Sequence, residues 1–294
     1  MAYLILSDFK KLIQSDNLAA IIGSDYNILD QINLASQSEV VSYLTQKYDC
    51  SREFSDTNVY SRTPAYKANE RVYLDATEYS ATSTYALNSL TLHLGNVYIC
   101  STAITIAEAW TVGHWTLIGS QYSLFYVPLP KPEFNYLTTY AKDDHIWYKD
   151  KTYTALLPSV SYGHDSALQL GNYENIPPIN IFPDDINNGA KYWGTGTAYA
   201  LTAGTLPTAT GWTAGDNRNQ QLVNYCIDVA LYTIHSRIAP RNIPDLRVKR
   251  YDDVIKWLQN AAQGKTITAA LPLIQPKSGG RIRFGGQVKQ KNNY

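Results

Sequence analysis

Thr91-Leu-His-Leu-Gly-Asn-Val-Tyr-Ile-Cys100 alternates apolar and polar residues on both sides of Gly95-Asn96. That pattern predicts strand, tight turn, strand. Ile146-Trp-Tyr-Lys-Asp-Lys-Thr-Tyr153 repeats it, with the turn near Asp150-Lys151. The two stretches are in register over a constant offset of 55, which also superposes Tyr85-Ala86 on Tyr140-Ala141 and Tyr98 on Tyr153. Such self-similarity predicts one small β-module present twice. The first copy closes near His114-Trp115. The second has a longer Pro- and Asn-rich loop before Tyr192-Trp193.

Outward from these hairpins the same texture fills residues 60–215. This region holds 16 of the 24 tyrosines and five of the six tryptophans. Modules 60–135 and 136–215 are therefore expected.

Both flanks change to helical spacing. Ser7 can cap a helix carrying Phe9, Leu12 and Ile13. Ser24-Asp25 opens a longer helix with Ile28, Ile32, Ala35, Val40 or Val41, and Leu44 on one stripe. Beyond the β region, Asp216 or Asn217 can cap a helix with Leu222, Cys226, Val229 or Ala230, and Ile234. After the break Ala239-Pro-Arg-Asn-Ile-Pro244, a helix marked by Tyr251, Val254, Ile255, Leu258 and Ala262 ends at Gly264. Each helix needs a partner for its apolar stripe. The expected architecture is α+β: a small helical domain formed by both chain ends, 1–59 and 216–268, with a large β-rich insertion of two related small modules. Residues 269–294 form an extended basic arm. Its Lys277, Arg281, Arg283, Lys289 and Lys291 come with no acid, and Arg281-Ile-Arg-Phe284 alternates as a strand that could dock on a partner.

Bulk properties narrow the function. Lysine plus arginine and aspartate plus glutamate number 25 each, so the net charge is +0 and no whole-protein grip on nucleic acid is expected. Cys50, Cys100 and Cys226 form no disulfide framework, which suits a reducing cytosol. The N-terminus lacks the pattern of a signal peptide, and no run is long enough to span a bilayer, so no membrane is expected.

Catalytic patterns fail one by one. Gly264-Lys265-Thr266 follows a helix and has Gln259 where a phosphate-binding loop needs glycine. Gly194-Thr-Gly196 lacks a third glycine and a strand–helix–strand context. Asp143-Asp144-His145 and Asp184-Asp185 sit at turns. His93, His114, His145, His164 and His235 are scattered, and no Gly-x-Ser-x-Gly elbow occurs. No catalytic residue, metal or cofactor is expected. Of the aromatics, Trp147 alternates with Tyr148, so one of the pair should face outward as a contact for glycan or protein.

The helical ends resemble a head–tail connector (neck or adaptor) family of Mu-like tailed phages. The similarity runs through the Met-Ala-Tyr start, through Ile32 to Tyr48 with its Tyr43-Leu44 and Lys47-Tyr48 end, and through Leu222 to Tyr232 with Arg237 and Pro240. It is strongest in Arg250-Tyr-Asp-Asp-Val-Ile-Lys-Trp-Leu-Gln-Asn-Ala-Ala-Gln-Gly-Lys265, followed by Leu271-Pro272. It covers roughly 110 of the 294 residues, and usual members lack the insert. The combination with tyrosine-rich modules resembles crAss-like phages. The resemblance implies a homo-oligomeric ring of about twelve copies in the virion neck, assembled in the host cytoplasm. Its implied partners are the portal protein, neighbouring neck or tail proteins and, transiently, the passing genomic DNA.

The insert has a likeness of its own. Tyr85, Leu94-Gly-Asn-Val-Tyr-Ile-Cys100, Trp110 and His114-Trp115-Thr are similar to small chitin-binding-type carbohydrate modules. That similarity implies the alternative role of a carbohydrate-binding virion decoration or receptor-contact protein.

Overall fold

The computed structural model describes residues 3–136, 138–158, 181–186, 189–238, 241–265 and 271–274. The Lys277–Lys291 cations and Phe284 of the arm lie outside them. The chain divides into two compact units, one from residues 1–130 and 199–274, the other from 131–198 and 275–294.

In the first unit, α1 (Leu6–Phe9), α2 (Ser15–Ile22) and α3 (Tyr26–Leu44) come from the N-terminal flank, and α5 (Gln220–Ile238) and α6 (Asp245–Ala262) from the C-terminal one; α4 (Gly189–Tyr192) belongs to the second unit. Asp25 caps α3 as expected, its Oδ1 accepting from the Asn27 amide at 3.1 Å. Gly23 and Gly264 close α2 and α6 in the left-handed region, at φ 62° and 73°.

Three local expectations change. Ile5, not Ser7, precedes α1, and its amide is taken by the Asp8 carboxylate at 2.9 Å. Neither Asp216 nor Asn217 caps α5: Asn219 Oδ1 accepts from the Gln221 and Leu222 amides, because Asp216 is held by Arg218. Helix α5 buries more than a stripe. Leu222, Val223, Cys226, Ile227, Val229, Ala230, Leu231 and Ile234 are all buried, since α3 and α6 pack on it along with α1 and α2. After α6 the chain returns to α3: Asp49 donates to the Pro272 carbonyl at 2.8 Å and Ile274 to that of Lys47 at 3.0 Å.

The β-rich middle holds more repetition than the sequence shows. Strands β4 (Leu90–His93), β5 (Asn96–Cys100) and β6 (Trp115–Ser120) make the first inserted module. Strands β8 (His145–Tyr148), β9 (Lys151–Thr154) and β10 (Thr197–Ala198) make the second. Their hairpin turns are Leu94-Gly95 and Lys149-Asp150, one residue earlier than expected. All four residues have positive φ, as the two-residue turn that matches strand twist requires.

A third copy, the outer module, comes from β1 (Thr57–Val59), β3 (Arg71–Tyr73), β7 (Leu124–Tyr126) and β12 (Thr213–Ala214). It also includes Tyr66, which begins the short strand β2 (Tyr66–Lys67) paired with β11 (Ala200–Leu201). The first inserted module stands where a hairpin turn would join β3 to β7. Leu74 and Ser123 still pair at its base, the Leu74 amide donating to the Ser123 carbonyl at 3.0 Å. The second inserted module lies in the chain between β7 and β12. Its first bridge is Glu133 to Trp147, so the module boundary moves from 135/136 to before Glu133.

Candidate functional site

Among the described residues, all three modules are built on one device. A tyrosine hydroxyl accepts a hydrogen bond from the amide five residues earlier and donates one to the carbonyl of that same residue. The pairs are Tyr66 with Ser61 (2.8 and 2.8 Å), Tyr85 with Ser80 (2.7 and 3.3 Å) and Tyr140 with Asn135 (2.7 and 3.2 Å). Three residues after each tyrosine stands Asn69, Asn88 or Asp143, at φ 66°, 70° and 69°. These side chains tolerate the left-handed region better than most. Their amides donate to the carbonyls of Val127, Cys100 and Ala155, at 2.7, 2.8 and 2.8 Å. Those three residues in turn donate to Glu70, Ser89 and Asp144. Asp144 is thus a turn residue, its carboxylate accepting from the Ala141 amide at 2.7 Å.

Each tyrosine sits in an aromatic triad. Tyr60, Tyr79 and Phe134 lie nearly parallel to Tyr66, Tyr85 and Tyr140, with centroids 6.0, 5.2 and 5.8 Å apart. A tryptophan closes each triad edge-on to the clamp tyrosine: Trp212 at 4.9 Å, Trp115 at 5.1 Å and Trp193 at 5.4 Å. These edge-to-face arrangements are the favoured ones for aromatic pairs. The rings are the cores of modules with little else to bury.

That use limits what remains for a ligand. Both faces of Trp110 are covered, by His93 at 4.0 Å and by Trp115 at 5.1 Å, each nearly parallel to it. Trp147 is 5% exposed. Tyr148 is half-buried, and its hydroxyl donates to Asp184 Oδ1 at 2.9 Å. Burial and the Asp184 bond push the Tyr148 phenol up to about 12. Trp147 is therefore the inward member of the pair, and Tyr148 the more exposed one, with the Phe182 ring 6.0 Å from its own. Trp115 Nε1 is buried without an acceptor among the described residues, whereas Trp193 Nε1 donates to the Ile181 carbonyl at 3.0 Å and Trp212 Nε1 to that of Thr205 at 3.3 Å.

The helical part is tied together by Arg218, whose side chain is fully buried. It donates to both oxygens of Asp8 (2.8 and 2.9 Å), to both oxygens of Asp216 (2.8 Å each) and to the Tyr3 carbonyl (2.7 Å). Burial opposes its charge, but the two carboxylates outweigh burial and raise its pKa. Burial likewise opposes ionisation of Asp216, and hydrogen bonds from Arg218 hold that carboxyl below the usual range. Arg71 performs a similar task from the outer module, donating to the carbonyls of Arg52, Glu53 and Ser55 and to Asn217.

A cleft of about 370 Å³ opens beside this node, between the N-terminal segment, α3 and β1. No group of three or more histidines, cysteines or acids suited to a metal occurs among the described residues. None of the described helices is long and apolar enough to cross a membrane.

Residues 215–277 match the family model described as Bacteriophage Mu, Gp36. The match begins just before the Arg218 node and spans α5 and α6. It supports a protein of a Mu-like phage. No curated protein matches the chain.

Proposed function

We propose that the chain is a structural virion protein of the phage neck, forming a ring that joins portal and head to tail and lets DNA pass. The observation that carries this reading is the match of residues 215–277 to the Mu Gp36 model, which includes the deeply buried helix α5. The C-terminal helices α5 and α6 bear the family likeness, and the three modules lie outside the matched residues. In a ring of about twelve copies, many weak contacts act together through high effective concentration. A chain with net charge +0 lets DNA through without gripping phosphate. The partners are other copies, the portal, adjacent neck or tail proteins and the passing genome. Assembly takes place in the host cytoplasm, and no step in this role is catalytic. The crAss-like placement belongs to the same proposal.

The repeated aromatic modules favour a second reading, a carbohydrate-binding decoration or receptor-contact protein. Against it stands the use of their rings as cores.

A phage deleted for this chain separates the two. The neck reading expects DNA-filled heads without tails. Complete tailed particles with reduced adsorption support decoration instead.

A further inference from the structure

We infer that the C-terminal arm of one copy docks in the cleft between α3 and β1 of a second copy. The inference rests on the ring reading and names the contact that would join neighbours.

The cleft is unfinished in three respects. Tyr26, Leu34 and Val59 stand on its rim at 48%, 44% and 45% exposure, large apolar side chains left in water. Asp30 and Asp75 line it, and neither has a cationic partner among the described residues. Asp75 Oδ1 receives only the neutral Ala76 amide (3.0 Å) and Gln121 Nε2 (2.8 Å). Lys10, close by, lies over the Tyr122 ring at 5.6 Å. Asn33, 3% exposed, lines the same cleft with an Oδ1 that accepts no hydrogen bond among the described residues; buried acceptors are almost always satisfied.

The border is also an edge. Among the described strands β1 pairs only with β3 in its sheet, and Thr57, Asn58 and Val59 contribute to the lining of the cleft. Such an edge is a template for an added strand. The surface therefore calls for an extended segment that is cationic, rich in donors and apolar on alternate residues.

The chain contains one. Residues 275–294 carry Lys277, Arg281, Arg283, Lys289 and Lys291 and no acid. In Arg281-Ile-Arg-Phe284 a strand would put the two guanidinium groups on one face and Ile282 and Phe284 on the other. Extended, the arm reaches ~65 Å, enough to cross to a neighbour. Arm and cleft are different surfaces of one chain, so their union is head-to-tail, the kind of contact that closes rings.

The test places a photo-cross-linking benzoylphenylalanine at position 284 of the full-length chain. Light- and heavy-isotope protein are mixed, irradiated and digested. The proposal expects mixed-isotope cross-links into residues 26–34 or 57–59. It expects about tenfold less cross-linked dimer for Asp30→Arg with Asp75→Arg, and recovery when Arg281→Asp and Arg283→Asp are added. Should the double arginine variant misfold, Asp30→Asn with Asp75→Asn replaces it. Cross-links confined to one copy, cross-links mapped elsewhere, no cross-links, or a yield indifferent to the cleft charges each overturn the proposal. The deletion phenotype is read independently, so loss of the arm contact leaves the neck reading standing.

Discussion

The Tyr85 hydroxyl satisfies both main-chain polar groups of Ser80, accepting from its amide at 2.7 Å and donating to its carbonyl at 3.3 Å. The same pair of bonds at Ser61 and Asn135 makes the clamp the unit of the whole β region.

Tyr85→Phe keeps the ring and removes both bonds. An unpaired, partly buried amide and carbonyl cost about 1–3 kcal/mol. Amide hydrogen exchange at Ser80 should accelerate in this variant while that at Asn135 stays unchanged, and Tyr140→Phe should reverse the pattern. Equal effects at both sites would mean that the clamps do not act module by module.

Trp115→Ala removes the closing ring of the first inserted module, with an expected loss of about 3–5 kcal/mol. Exchange protection should fall across residues 76–120 and persist in α3 and α5. The expectation follows from the nesting: the base of that module is the Leu74–Ser123 pair, so the helical core lies outside it.

Arg218→Met leaves Asp8 and Asp216 buried or half-buried beside an apolar chain. Breaking a buried ion pair from one side costs about 3–5 kcal/mol. Urea denaturation should show a loss of that size. A loss under about 1 kcal/mol would place Arg218 among surface-type pairs.

Two carboxyls should respond oppositely to acid. The folded pKa of Asp216 is depressed, so its contribution is complete above the unfolded value of ~3.9 and is lost as pH falls through the folded one. Asp228 is the reverse. Burial raises its pKa despite Arg250, so the fold carries a cost at neutral pH that acid removes. Asp216→Asn should therefore lower Tm at pH 7, and Asp228→Asn should raise it or leave it unchanged. Both differences should shrink as the pH drops below ~4. Thermal melts across that range check the signs.

Local chemistry made much of this fold readable. Asp25 and Gly264 bound helices because their side-chain and backbone preferences act within a few residues. The offset of 55 between Tyr85 and Tyr140 survives because both inserted modules keep their hairpins whole. The outer module is hidden in the sequence for a topological reason. Its Tyr66 and Phe125 lie 59 residues apart, whereas the equivalent Tyr85 and Tyr98 lie 13 apart, so no fixed period spans it. The trace that would have exposed it is Ser61, Tyr66 and Asn69, which repeats 19 residues later as Ser80, Tyr85 and Asn88. Alternation separates Trp147 from Tyr148 but does not say which of the two is buried; Trp147 is, at 5% exposure, while Tyr148 is half-buried. The cleft was illegible in principle: Asp30, Val59 and Tyr122 meet only through tertiary packing.

A neck ring has a fixed place in the particle. Immunogold electron microscopy with antibody against this chain, on intact and disrupted virions, reads that place directly. The account predicts gold at the neck, between capsid and tail. Gold over the capsid exterior or at fibre tips would contradict it and move the function to the aromatic modules.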